Sequence, residues 1–177
     1  LHLGKSLGDF DLIKDQEYAL KQVLRIVQEQ KADGVLIAGD VYDKAIPSEA
    51  ATRLLDGFLS ALAERKVQVF MISGNHDSAE RLAFGGRLME GKGIHISPAY
   101  DGTVAPITLA DAFGDVHFWL LPFVKPVHVK RFFPEEGIDS YTDGIRVAVK
   151  KMCVDTVGRN VLLTHQFVTG ASTCESE

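Results

Sequence analysis

Apolar and polar positions follow two periods along this chain. Between Asp15 and Gln30 the residues Tyr18, Leu20, Val23, Leu24 and Val27 recur at close to helical spacing. "GVLIAGD", Gly34 to Asp40, is instead a short continuous apolar run ending in Gly-Asp, as expected of a strand buried on both faces. Pro47 stands where the first turn of a helix would begin, and Ala51, Leu54, Leu55, Phe58, Leu59 and Leu62 make a stripe behind it. "VQVFMIS" then reads as a second buried strand. The order β-α-β with a helical crossover predicts two parallel, neighbouring strands.

Beyond these, Ser78 is placed to cap a helix running to about Glu90, with Gly91 and Gly93 to close it. From Gly93 to Phe123 the pattern shortens into strand-like pieces, "GIHIS", "TVAPITL" and "VHFWLLPF", separated by Gly, Pro and Asp. Residues Asp139 to Thr156 read as a helix, with Ile145, Val149, Met152 and Cys153 on one face and Gly158 as the stop. "NVLLTHQF" is a further buried strand. No internal repeat, low-complexity tract or interdomain linker interrupts this order.

The polar residues matter through their placement. Asp40, Asn75 with His76, and His165 all fall at the carboxyl ends of apolar strands. In open α/β sheets the ligand crevice lies outside those ends, so residues distant in sequence converge there. "GNHD" places an amide, an imidazole and a carboxylate in a row immediately after a strand, behind a glycine that lets the backbone turn.

Composition narrows the class without choosing the chemistry. At 177 residues the chain suffices for one α/β domain with a real core. A net charge of −5 argues against nucleic-acid binding through the whole surface, though bound dications would change the local sign. No stretch reaches the ~18 apolar residues of a membrane span, and Leu1 to Lys5 do not read as a signal peptide. Cys153, expected in the core, and Cys174, in a polar tail, suggest reduced thiols and a cytoplasmic protein. The start on Leu1 and the polar "TGASTCESE" after a strand suggest a fragment of a longer protein.

His2, Asp40, Asn75 and His165 offer imidazole, carboxylate and amide-oxygen donors, a mixture that suits Mn²⁺, Fe²⁺, Zn²⁺ or Mg²⁺. Two such ions ~3.5–4 Å apart can clamp a phosphoryl group, with a carboxylate reaching both; Asp40 is the candidate bridge. Neighbouring side chains at a strand end diverge. If Asn75 faces a metal, His76 can face substrate and protonate a leaving oxygen. Asp43 could accept the other ring N–H of His76 and hold its tautomer. Taken singly, a Gly-Asp after a strand is usually a turn and a strand-end histidine is usually structural. The ordered set "GDVYD", "GNHD" and "TH" is far more specific.

That set resembles the calcineurin-like metallophosphoesterase superfamily. The flanking segments "DGVLIAGDVYDKAIPSEA", "ISGNHDSAERLAFG", "LLPFVKP" and "LLTHQFV" resemble the bacterial SbcD exonuclease family, and "LHLGK" resembles the tail of that family's first motif, Asp-x-His-x-Gly-Lys. The resemblance implies a four-layer α-β-β-α sandwich with two mixed sheets, residues 1–177 forming one phosphoesterase (nuclease) domain incomplete at both ends. It implies His2, Asp40, Asn75 and His165 as ligands of two divalent metal ions, Mn²⁺ foremost, His76 as the catalytic non-ligand histidine and Asp43 as its partner. The first motif's Asp would precede Leu1, and the family's last motif, Gly-His-x-His, would follow Glu177. The function implied is DNA exonuclease and hairpin-opening endonuclease work in repair and recombination. The partners implied are DNA, an SbcC-type ATPase and a second copy of the chain, within a heterotetramer. The rival readings are a phosphoesterase of the same fold acting on small monoesters or diesters, and a scaffold that has lost its metals.

His95, His117 and His128 match none of these motifs, and His117 in "VHFWLL" reads as a sheet residue. Lys125, His128, Lys130 and Arg131 form a basic run that could meet a DNA backbone, with a solvated loop or helix face as the preferred reading. No substrate-binding residue is identified from the sequence.

Overall fold

The computed structural model of the protein describes residues 1–167. A two-stranded ribbon, β1 (Ser6–Leu7) and β2 (Phe10–Asp11), leads into helix α1 (Ile13–Glu29). Strand β3 (Gly34–Ala38), helix α2 (Glu49–Glu64) and strand β4 (Gln68–Ile72) follow as the expected β-α-β unit, its strands parallel and in register from Gly34↔Gln68 to Ala38↔Ile72. Two short helices, α3 (Ala79–Leu82) and α4 (Gly86–Glu90), precede β5 (Ile94–Ile96), which adds in parallel to β4. The second sheet orders β6 (Pro106–Asp111), β7 (Gly114–Leu121) and β8 (Arg159–Thr164), antiparallel then parallel. Helices α5 (Pro126–Lys130) and α6 (Tyr141–Lys151) lie between β7 and β8 in sequence.

Strand parity sorts the side chains into layers. On β4, Val69 and Met71 face α1 and α2, packing with Leu20, Val27, Leu55, Phe58 and Leu62. Phe70 and Ile72 face the second sheet, where they meet Leu120 and Leu163. Phe70 stacks on Phe118 with ring centroids 4.1 Å apart. On the far side Leu121 and Val124 pack with Val129, Val147 and Ala148 of α5 and α6. The result is helices, sheet, sheet, helices. Each buried aromatic or aliphatic side chain contributes about 1.5–3 kcal/mol toward holding these layers together.

Several local expectations change. Among the described residues the three strands of the first sheet run parallel, while the second sheet is mixed. β3 is its outer described strand, so Leu36 is 47% exposed where burial on both faces was expected. Pro47 precedes the helix: Ser48 takes the cap, its hydroxyl accepting from Ala51 N–H at 3.2 Å. The helix expected from Ser78 to Glu90 is two pieces, broken where Gly85 adopts a left-handed φ of 75°. β6 begins only at Pro106; before it Asp101 accepts from Thr103 N–H in a turn. α6 stops at Lys151, and Cys153, at φ 53°, is exposed and not in the core. Cys174 and the polar run 169–177 lie outside the described residues. Among the described residues no helix is long and apolar enough to cross a membrane.

Candidate metal centre

Four segments meet beyond the carboxyl ends of β3, β4 and β8. Residues 1–3 run beside 40–42: His2 N–H donates to Asp40 O at 2.8 Å, Leu3 N–H to Val41 O at 2.9 Å, and Leu3 pairs in parallel with Tyr42. Gln16 of α1 secures this segment, donating to His2 O at 2.7 Å and accepting from Gly4 N–H at 2.9 Å. As β3 ends, Gly39 and Asp40 both take positive φ, 89° and 46°. For a residue with a Cβ, such a conformation costs roughly 1–2 kcal/mol. It swings the Asp40 carboxylate inward, where the residue is only 8% exposed.

The glycines flanking this turn are dictated by contact. A Cβ on Gly39 would stand 2.5 Å from His165 Nδ1, and one on Gly74 would stand 2.1 Å from Asp40 Oδ1. The chain thus reserves side-chain space at 39 and 74 for the functional groups of 165 and 40.

Every residue expected at the site lies here. Asp40 Oδ2 stands between two imidazoles, 3.5 Å from His2 Nε2 and 3.4 Å from His165 Nε2. Asn75 Oδ1 is 3.0 Å from the same His165 nitrogen. His165 Nδ1–H donates to the Ala38 carbonyl at 2.7 Å, which leaves Nε2 of the neutral ring with a lone pair and no proton. In the neutral ring, His165 Nε2, Asn75 Oδ1 and Asp40 Oδ2 are three electron-pair donors converging on one point. A cation resolves that arrangement, and this donor set of nitrogen, amide oxygen and carboxylate fits a borderline or hard dication. His2 Nδ1 is likewise buried without a hydrogen-bond partner. Burial, outweighing the pull of Asp40, lowers the His2 pKa below the usual imidazole value and keeps the ring neutral, as a ligand must be.

His76 stands at the rim. Its backbone N–H donates to Asp40 Oδ1 at 3.0 Å, and its ring meets His2 edge-on with centroids 4.9 Å apart. Donor atoms of His2, Asp40 and His76 lie within 4.8 Å of one another, so distance alone does not separate His76 from the metal-holding groups. Its orienter differs in detail from expectation. His76 Nδ1–H donates to the backbone carbonyl of Asp43 at 2.9 Å, while the Asp43 carboxylate lies 3.7 Å from His2 Nδ1. Backbone geometry explains this: Asp43 N–H is tied to Leu3 O at 3.1 Å, which turns its carbonyl toward His76 and its side chain toward His2.

Sequence reasoning assigned no role to Asp77 or Gln16. Asp77 accepts from the N–H groups of Val41 (3.0 Å), Tyr42 (2.9 Å) and Gly74 (2.8 Å), clasping two loops together. Its place in "GNHD" was the available signal; Gln16 gave none.

Two comparisons bear on this geometry. The family model for calcineurin-like phosphoesterases matches residues 1–173. The chain is also 34% identical over 179 residues to the SbcD subunit of the SbcCD nuclease of Staphylococcus epidermidis (strain ATCC 12228 / FDA PCI 1200). That alignment covers 99% of this chain and 47% of that protein, so the chain spans about half the length of the curated relative it matches.

Proposed function

The chain belongs to the calcineurin-like phosphoesterase family, and from that premise we propose that it is the phosphoesterase part of a metal-dependent DNA nuclease subunit. The family makes it a phosphoester hydrolase that works with divalent metal ions. The finer reading is double-strand exonuclease and hairpin-opening endonuclease activity with Mn²⁺, in DNA repair and recombination. It is supported by the similarity to a protein named as one subunit of the SbcCD nuclease. That name also supports an SbcC-type partner; the reading takes this partner as an ATPase, with two copies of each in the assembly and a cytoplasmic setting.

The observation that carries the proposal is the convergence of His165 Nε2, Asn75 Oδ1 and Asp40 Oδ2, with Nε2 3.0 Å from the amide oxygen and 3.4 Å from the carboxylate. His2, Asp40, Asn75 and His165 would hold the ions, with Asp40 Oδ2 shared between the two histidine sides. When bound, such ions neutralise phosphoryl oxygens and acidify an attacking water. The remaining work falls to the protein. Asp43 O fixes the His76 ring through Nδ1–H, so that Nε2 is the ring atom left to face substrate; protonated there as the imidazolium, His76 would deliver that proton to the leaving oxygen. Asp77 and Gln16 hold the ligand-bearing segments in place.

The test is a Mn²⁺-dependent nuclease assay of the full-length protein on blunt and hairpin duplexes, with bis-p-nitrophenyl phosphate alongside. Cleavage of both DNA forms, abolished by chelation, is expected. Turnover confined to the small diester would remove the DNA reading and leave a phosphodiesterase.

A further inference from the structure

A cleft of about 830 Å³ opens beside the metal centre, within the ~300–1,000 Å³ range of pockets that enclose ligands. One wall is the 73–80 segment, including Asn75; the other is α5 and the residues after it, through Phe132. Phe123 belongs to both regions: it lines the cleft, and its ring centroid lies 6.3 Å from that of His165. Whatever fills the cleft therefore ends at the metal-holding residues.

The charges that line it are unequally committed. Of its two carboxylates, both Asp77 oxygens are occupied by backbone N–H groups, and Glu80, on the wall opposite α5, accepts from Ser78 Oγ at 3.3 Å. Lys130 is paired with Asp139 at 3.4 Å and with Ile138 O at 3.3 Å. Lys125 and Arg131 have no carboxylate within ion-pair distance among the described residues. His128 adds a directed donor, because its Nδ1 accepts from Lys125 N–H at 3.3 Å and so leaves the proton on Nε2. The wall is also aromatic. Tyr100 and Phe132 meet edge-to-face at 5.9 Å, Arg131 lies 5.8 Å over the Phe132 ring, and the Tyr100 hydroxyl is buried without a hydrogen-bond partner. In a chain of net charge −5 this is a local cationic and aromatic wall, not a general basic surface.

We propose that this cleft seats a single DNA strand next to the metal centre, Lys125 and Arg131 on its phosphates and Tyr100 and Phe132 against its unstacked bases; the proposal rests on the nuclease reading above. Uncommitted cations spaced along a groove, interleaved with π-faces, are the recognition chemistry of single strands. A duplex keeps its bases stacked inside and would leave the aromatic wall unused.

The test is oligothymidylate binding by the full-length protein in EDTA, followed by fluorescence anisotropy across a salt series, so that no turnover enters. Lys125→Gln with Arg131→Gln is expected to weaken binding about ten-fold or more at low salt. It should also flatten the log–log salt slope by about 1.4, two phosphate contacts at ~0.7 each. Phe132→Ala is expected to weaken binding about ten-fold with the salt slope unchanged, and Arg131→Lys should keep the wild-type slope. The thermal midpoint of the double variant should match wild type. An unchanged slope in the double variant, or an equal loss of affinity for blunt duplex, would overturn the proposal. A wild-type protein that binds oligothymidylate through these residues but hydrolyses no phosphodiester with Mn²⁺ would remove the nuclease reading and leave this site standing.

Discussion

The carboxylate of Asp77 holds the backbone of Val41, 36 residues away, by accepting its N–H at 3.0 Å. With Tyr42 and Gly74 completing its hydrogen bonds, one side chain sets the spacing between the loop that carries Asp40 and the loop that carries Asn75. Asp77→Ala leaves three partly buried N–H groups without their acceptor. Bonds to charged groups are worth about 1.5–3 kcal/mol each, and water recovers part of that. A loss of roughly 2–4 kcal/mol of stability is expected, together with weaker Mn²⁺ binding. Urea denaturation and metal titration of the same variant check both; full metal affinity would show that the clasp does not position the ligands.

His76 and Asp40 should separate by metal content. His76→Ala is expected to retain metal while losing about 10²–10⁴-fold in rate, the usual worth of a general acid. The loss should be smaller on nitrophenyl esters, whose leaving groups need little protonation. Asp40→Ala should lose metal and activity together. Elemental analysis of both purified variants, beside their rates on DNA and a nitrophenyl diester, decides; metal lost from His76→Ala in step with rate would make His76 a ligand.

Asp43→Ala keeps the carbonyl that holds His76 and removes the carboxylate near His2. The expected defect is therefore in metal affinity, about ten-fold for a lost supporting contact, with the dependence of rate on leaving group unchanged. A defect in leaving-group dependence with normal metal affinity would place the effect on His76 instead.

Gly74→Ala places a methyl 2.1 Å from Asp40 Oδ1, and Gly39→Ala places one 2.5 Å from His165 Nδ1 at a backbone φ of 89°. Both are expected to displace a metal-holding group, and Gly39→Ala adds roughly 1–2 kcal/mol of backbone strain. Loss of Mn²⁺ binding in folded protein, seen by circular dichroism and calorimetry, is the check. Normal binding in Gly74→Ala would mean that the loop gives way at no functional cost.

Much of this was legible in the residues. The runs "GVLIAGD" and "VQVFMIS" announced parallel strands because continuous apolar stretches flanking a helical stripe have few other uses. The position of Asp40, Asn75 and His165 at strand ends announced their convergence. What stayed hidden was set by backbone detail. Gly85 breaks a helix that periodicity had made continuous, and Cys153 turns outward at a left-handed φ. The carbonyl of Asp43, not its carboxylate, meets His76, and no side-chain pattern announces a carbonyl. The cleft wall was half visible: Lys125, His128, Lys130 and Arg131 are the exposed helix face expected, while Tyr100, which lines the same cleft, lies in another segment.

The crossing of His165 from the second sheet onto Ala38 of the first makes the centre a gauge of alignment between the two sheets. One residue of strand advances the chain by ~3.3 Å, about the whole separation between His165 Nε2 and Asp40 Oδ2. A slip of a single residue between the sheets would empty the site without altering any residue in it. The inner faces that prevent such a slip are Phe70 and Ile72 against Leu120 and Leu163. Side chains that never touch a phosphate thereby fix the tolerance to which the chemistry is machined, and a repacked core that still melts normally can already be out of gauge.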